Sequence, residues 1–413
     1  MKKSIAVLLC TALAGAGTAA AGPRDNDHAV TRPNASAFTR AAVPPAGEKG
    51  TGSVRVLAAA APVSGVLLND KHIETGRIRS LGGTAFVPLK PLAAAMGYTL
   101  AWDAGKRQAT LLRPSRRVLV AAGSSSAAVN GAAVKLALPA RTIGGTLYVP
   151  LASAARALGG TVRVRGGELY IADKERLVSA SVDGGTYWVS QADGTLYARP
   201  AGQAEPERIG RLPLKDSPYH YGLTLTKAGG GAVLLELADR HYAMFNDFEN
   251  VYQVLLRGKA VVGQADYHLG MPSYNRPAVP ASTRQYLFDG TRVRYILSGG
   301  SLGPELDLKA ITQDEGKLRI EYAASDVLLV RALPSAQLYA VHPDTGAVIN
   351  LGERLMDSPD RADWKQADGS DPYVLERMLT LTKREGGKLT FVYSPLGGGK
   401  PKTRSYTLTA GKE

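Results

Sequence analysis

Hydrophobic and polar positions alternate with a period of two over most of this 413-residue chain, in runs of four to eight residues that read as half-buried β-strands. A helical period replaces it at two clear places. Leu89, Leu92, Ala93 and Met96 recur at i, i+3, i+4 and i+7, as do Leu151, Ala154, Ala155 and Leu158. Each set marks one apolar face of a helix of about two turns. Before them, the runs "TAFV" and "TLYV" alternate as strands that Pro88 and Pro150 bring to an end, because proline cannot donate to a ladder. After them stand Gly97 and Gly159, where a helix end favours a left-handed residue.

The two places are copies of one unit. Val87 and Val149 are 62 residues apart, and so are Gly97 and Gly159, so a fixed period runs through both helices without a gap. The short strands "VLLND" and "AAVNG" precede the Gly-Gly pairs, and "YTLAWD" with "RQATLL" and "TVRVR" with "ELYIA" follow the helices. Asn130-Gly131 suits a two-residue hairpin turn. The expectation is a duplicated ββαββ module of class α+β over residues 65–173, with copies at about 65–112 and 127–172, each using its apolar residues in its own core.

From about residue 174 to 413 the pattern is short alternating strands with Gly and Asp turns, and long helical periods are absent. This predicts an all-β region, propeller-like or alternatively a sandwich. Two internal echoes point to duplication. "GTLYARP" with the following "LPLKDSP" returns as "AQLYAVHP" with "RLMDSP", and "LTLTKAGGGAVLLEL" returns as "LTLTKREGGKLTFVY".

The ordered elements of the repeated unit, Gly-Gly-Thr-aromatic-Val-Pro-Leu, an Ala/Leu helix, Gly and a strand, twice over, resemble the copper amine oxidase-like N-terminal domain of exported proteins of Gram-positive, spore-forming bacteria. The motif residues that carry it are Val87, Pro88, Leu89, Gly97 and Trp102, then Val149, Pro150, Leu151 and Gly159. The second copy departs from the pattern, with "RVRGGELYI" in place of the Trp-Asp and turn. The resemblance implies a stalk only, since copper and the quinone cofactor belong to a separate catalytic domain of those enzymes. No Asn is followed by Tyr and no His-x-His occurs, so the expectation is no metal, no cofactor, no catalytic residue and no amine oxidase activity.

Composition changes this picture in three ways. "MKKSIAVLLCTALAGAGTAAAG" pairs two lysines with an apolar run too short for a bilayer and small residues at 19 and 21, which reads as an export signal over residues 1–21. Cys10, the only cysteine, falls inside it as apolar filler, so the remaining chain can form no disulfide. Residues 22–64, rich in Ala, Pro and Gly, read as a disordered linker. Fifty Lys and Arg against 36 Asp and Glu give +14, and +12 once Lys2 and Lys3 are lost with the signal. Outside a cell that charge suits anionic cell-wall polymers, the alternative being charge that serves solubility alone. Basic runs with interleaved aromatics are missing, which argues against nucleic acid, and no later run suits a membrane span.

Candidate chemistry in the C-terminal region is sparse. Tyr219, Tyr221, Tyr242, Phe245, Phe248, Tyr252, Tyr267 and Tyr274 place eight aromatics within 56 residues, a candidate stacking surface for a glycan or a peptide, although the same residue types build β cores. Asp193-Gly194, Asp289-Gly290 and Asp368-Gly369 read as turns rather than calcium loops. Asp247 and Glu249 share a strand face and read as a solvated edge rather than a glycosidase pair. The expected function is an exported, non-catalytic envelope or extracellular protein whose stalk presents a β-rich binding domain to anionic wall polymers or to an extracellular glycan or protein. A hydrolase of wall or extracellular polysaccharide and a purely structural spacer are the alternatives.

Overall fold

Each copy of the repeat builds two hairpins, a helix and a third hairpin. In the first copy these are β1 (Gly65–Leu68) with β2 (Lys71–His72), β3 (Arg79–Leu81) with β4 (Thr84–Pro88), α1 (Leu89–Ala95), and β5 (Thr99–Asp103) with β6 (Gln108–Arg113). A linking strand, β7 (Arg116–Ala121), leads to β8 (Ser126–Val129) with β9 (Ala132–Lys135) and β10 (Arg141–Ile143) with β11 (Thr146–Pro150). Then come α2 (Leu151–Ala157) and β12 (Thr161–Arg165) with β13 (Glu168–Ala172). The computed structural model describes residues 63–215, 221–242, 246–272 and 278–408, without the side chains of 241, 242, 246, 247, 271 and 272. The proposed signal at 1–21 with Cys10, and all but the last two residues of the 22–64 linker, lie outside the described residues.

The unit is therefore ββββαββ rather than ββαββ. Strands as short as β2, β3 and β10 carry too few residues to show an alternation. The turn expected at Asn130-Gly131 joins β8 to β9 with φ of 49° and 87°, and Gly82-Gly83, between β3 and β4, has 55° and 72°, the doubly positive geometry of a two-residue hairpin turn.

The copies do not close on themselves. One sheet runs β12-β13-β1-β2, so the last hairpin of the second copy joins the first hairpin of the first. Another runs β5-β6-β7-β8-β9, joining the last hairpin of the first copy to the first hairpin of the second. The third, β10-β11-β4-β3, is centred on the antiparallel pair Val149↔Val87, flanked by Tyr148↔Pro88 and Pro150↔Phe86. With a period of 62 these pairs interchange, so a local two-fold passes between the two valines. The symmetry is broken by β7. Where β1 pairs directly with β13 the strands are parallel, whereas β7, inserted between β6 and β8, makes every pair of its sheet antiparallel. One core serves both copies, with Val87, Leu89, Met96, Val149, Leu151 and Leu158 at no more than 1% exposure. The expectation of a separate core for each copy is corrected accordingly.

Trp102 lies on β5, the edge of its sheet, at 47% exposure, and its counterpart 62 residues on, Val164 on edge strand β12, is 61% exposed. This pair of positions lies outside the shared core because both strands end their sheets.

The C-terminal region forms five sheets in chain order, each an antiparallel meander. The first holds four strands from Leu177–Val182 to Glu207–Arg211, and the second four from Gly222–Lys227 to Ala260–Pro272. The third has three, from Tyr286–Phe288 to Leu302–Asp307, the fourth four, from Lys317–Ala323 to Val348–Asn350, and the fifth three, from Thr380–Glu385 to Lys402–Thr407. Among the described residues four short α-helices punctuate them: α3 (Leu308–Thr312), then α4 (Leu351–Leu355), α5 (Ser358–Gln366) and α6 (Pro372–Leu375), the last three between the fourth and fifth sheets. The sequence pattern missed these helices, because α5 buries little beyond Asp360 and Trp364 and shows no apolar stripe.

Consecutive sheets share apolar cores. Tyr187 and Leu196 of the first pack with Leu235 and Tyr252 of the second, Leu255 of the second with Leu287 of the third, Val293 of the third with Val330 of the fourth, and Leu329 of the fourth with Phe391 of the fifth. Among the described residues, no such core joins the fifth sheet to the first. The sequence echoes land on equivalent strands. "TLYAR" and "LYAV" are each the third strand of a four-stranded sheet, the first and the fourth, while "LTLTK" begins the second sheet and "LTLTKRE" the fifth.

The module and the first C-terminal sheet meet at a buried joint. The Trp188 indole, fully buried, donates from Nε1 to the carbonyl of Gly97 at 2.8 Å. Gly97 has φ of 73°, and a Cβ there would stand 2.5 Å from the Leu177 carbonyl oxygen, so glycine is required both by conformation and by close approach. Arg113, 2% exposed, donates to Asp173 at 2.8 Å and to the Met96 carbonyl, and stacks 4.8 Å from the centroid of Tyr98. Its Nε also lies 3.4 Å from Glu175 Oε2 as an ion pair outside hydrogen-bond geometry. The Tyr98 hydroxyl donates to the carbonyl of Leu158 in the second copy at 2.7 Å, and burial pushes its phenol well above the ordinary range.

Candidate functional site

The aromatic run of the second C-terminal sheet is divided between core and solvent. Tyr252 is fully buried, its ring 5.8 Å from that of Tyr221 in an edge-on pair, and both hydroxyls engage the backbone of Lys215. Tyr267 packs at 5.3 Å from Phe288, and burial raises its phenol above the ordinary range. These three rings join neighbouring sheets. Phe248 is 44% exposed and lies across from Gly270, covering the bare backbone there. Tyr219, Phe245 and Tyr274 lie outside the described residues, as does the side chain of Tyr242.

The carboxylates expected in turns serve their own turns. Asp193 accepts from Thr195 N and Oγ1, Asp289 from Thr291 N and Arg292 N, and Asp368 from Ser370 N and Oγ. Glu249 corrects the reading of a solvated edge. It is buried at 3% exposure on the long strand Asn246–Arg257, and Arg319 of the fourth sheet stands 3.5 Å away. The side chain of Asp247 lies outside the described residues. Among the described residues no three His, Cys, Asp or Glu side chains gather as a metal site.

The charge of the chain is unevenly placed. Residues 65–173 carry 14 Lys and Arg against 5 Asp and Glu, a net +9, whereas residues 174–413 carry 29 against 28, a net +1. The module therefore bears most of the +14, and a cleft in it gathers part of that charge. The cleft, about 840 Å³, is lined by Asn69, Asp70, Arg163, Arg165, Tyr170 and Arg176, among others.

Strand geometry explains the lining. Thr161, Arg163 and Arg165 are alternate residues of β12 and so point to one side of the sheet, opposite the core face that Leu169 and Ile171 serve. Arg163 lies across from Tyr170 and Arg165 across from Glu168. The Tyr170 hydroxyl donates to Glu168 at 3.2 Å, and that hydrogen bond is the main cause of its raised pKa. The lining also takes in the β1–β2 turn, where Asn69 Oδ1 accepts from Asp173 N at 2.9 Å, and Arg176, whose carbonyl accepts at 3.1 Å from N of Gln191, the residue after the strand Gly185–Ser190.

Arg163 and Arg165 are exposed, Arg176 is half-buried, and among the described residues none of the three has a carboxylate at ion-pair distance. Arg176 Nε is buried with no hydrogen-bond partner. Sequence reasoning passed over these arginines, although the departure "RVRGGELYI" held the signal: the positions of Arg163 and Arg165 are Ala101 and Asp103 in the first copy.

Comparison with known proteins finds a family match over about a quarter of the chain. Residues 69–171 match the family model of the copper amine oxidase N-terminal domain. That domain is the non-catalytic part of the enzymes for which it is named, consistent with no amine oxidase activity here. No curated protein matches the chain. Among solved structures, AztD of Citrobacter koseri is similar at 13% identity over 67% of this chain and 85% of its own, with a TM-score of 0.21. The PQQ-bound aldose sugar dehydrogenase of Streptomyces coelicolor is similar at 13% identity over 84% of this chain and 99% of its own, with a TM-score of 0.20. At those scores neither fold nor function is carried over from them. No helix of the described residues is long and apolar enough to cross a membrane.

Proposed function

We propose that this chain is an exported, non-catalytic protein of the cell envelope or extracellular space, in which the repeated module holds an anionic wall polymer and presents the β-rich region. The observation that carries this reading is the charge distribution: +9 on residues 65–173 against +1 on residues 174–413. Charge spread for solubility alone would not segregate in this way. The match to a non-catalytic stalk domain supports a holding role for the same residues. The five consecutive meander sheets among the described residues, stacked through shared cores, support a propeller-like reading of the presented part.

Sedimentation of the full chain with purified cell wall at increasing salt tests the reading. Retention is expected to fall steeply between about 0.05 and 0.5 M salt, as the screening length drops from more than 10 Å to a few ångströms. Retention indifferent to salt would overturn it.

A further inference from the structure

We propose that the cleft walled by Arg163, Arg165 and Arg176 is a specific binding site for the phosphate groups of an anionic polymer. The inference rests on the reading of the module as the polyanion-holding part and names where, and through which chemistry, it holds.

Four observations converge on it. Two guanidiniums belong to alternate residues of β12 that share one face, and a third, that of Arg176, lines the same cleft, its backbone held by Gln191. None of the three is matched by a carboxylate of this chain at ion-pair distance among the described residues. Arg176 Nε is buried without a hydrogen-bond partner, so the third guanidinium is not tied to an acceptor of this chain through that atom. The cationic pair belongs to the second copy alone. Asp103, which stands where that copy has Arg165, instead accepts a turn hydrogen bond from Lys106 N.

The chemistry of the lining favours phosphate over carboxylate. Three guanidiniums in one cleft suit an acceptor with oxygens on more than one side, which a tetrahedral phosphate has and a planar carboxylate lacks. An open cleft of about 840 Å³ accommodates several units of a chain rather than a single ion. Asp70 is the one acid of the lining, outnumbered by the three arginines.

The test is binding of the full chain to inorganic polyphosphate and to poly-L-glutamate of equal charge, by calorimetry at fixed salt. The variants are Arg163→Gln with Arg165→Gln, and, as a charge-matched control away from the cleft, Lys90→Gln with Lys135→Gln. Both pairs are exposed, so unfolding is not expected, and circular dichroism checks it. The cleft variant should lose polyphosphate affinity by about tenfold or more and the control by no more than about threefold. Arg163→Lys with Arg165→Lys, which keeps charge but removes the fork, should still lose about threefold or more. Equal loss in the control and the cleft variant would overturn the site while leaving general charge retention standing. Poly-L-glutamate bound as tightly as polyphosphate would overturn the phosphate assignment. Absence of polyphosphate binding while wall retention still falls with salt would overturn the site alone, and salt-indifferent retention would remove the reading beneath it.

Discussion

Replacing Arg113 with methionine strikes the joint between the module and the first C-terminal sheet. Arg113 and Asp173 are 2% and 3% exposed and meet at 2.8 Å, so the substitution leaves a carboxylate out of water without its cation. Methionine fills most of the volume and keeps apolar contact with Tyr98, so the cost is mainly electrostatic. Breaking one side of such a buried pair costs about 3–5 kcal/mol. Asp173→Asn should cost less, about 1–3 kcal/mol, because Arg113 keeps the Met96 carbonyl and the nearby Glu175 carboxylate. The double variant carries no orphaned carboxylate and should fall short of the sum of the singles by about 1–3 kcal/mol. Arg117→Met, which removes an exposed pair with Glu205, is the control and should cost less than about 1 kcal/mol. Urea unfolding followed by tryptophan fluorescence is suited to the measurement, since Trp188 is buried at the same joint. An Arg113→Met cost no larger than that of Arg117→Met, or a fully additive cycle, would refute the argument from desolvation.

Gly97→Ala should destabilise by about 2–4 kcal/mol, as left-handed strain is joined by collision with the Leu177 backbone, whereas Gly202→Ala, at φ of 80° with nothing within 4 Å, should cost only about 1 kcal/mol in the same unfolding assay. Trp188→Phe leaves the Gly97 carbonyl without the indole donor and should cost about 1–3 kcal/mol by chemical denaturation. Hydrogen bonds from Lys402 and then Arg404 lower the Asp357 carboxyl from 3.8 to about 2. Because the folded value is depressed, its contribution to stability is present above about pH 4 and is lost as pH falls through about 2. An NMR titration of Lys402→Met should show the carboxyl moving back toward 3.8. Trp102→Ser should alter thermal stability by less than about 1 kcal/mol, while Val87→Ala, in the shared core, should cost about 2 kcal/mol or more. A large effect at Trp102 would refute its placement at the exposed sheet edge.

Local features were legible from residues alone because their causes are local. The 62-residue period, the helices after Pro88 and Pro150, the positive φ at Gly97, Gly159 and Asn130-Gly131, and the succession of short antiparallel strands after residue 174 each follow from a few neighbouring side chains and their backbone preferences. Which hairpin pairs with which did not follow. A ladder between β1 and β13 is as satisfactory to the backbone as one within a copy, and only closure of the whole module selects the exchange that yields a single core. The same long-range choice made Trp102 an edge residue, drew Glu249 into contact with Arg319, and brought Arg176 into one cleft with Arg163 and Arg165. Sequence sets what each segment prefers; burial and charge among segments far apart in the chain decide which faces meet and which remain open to a ligand.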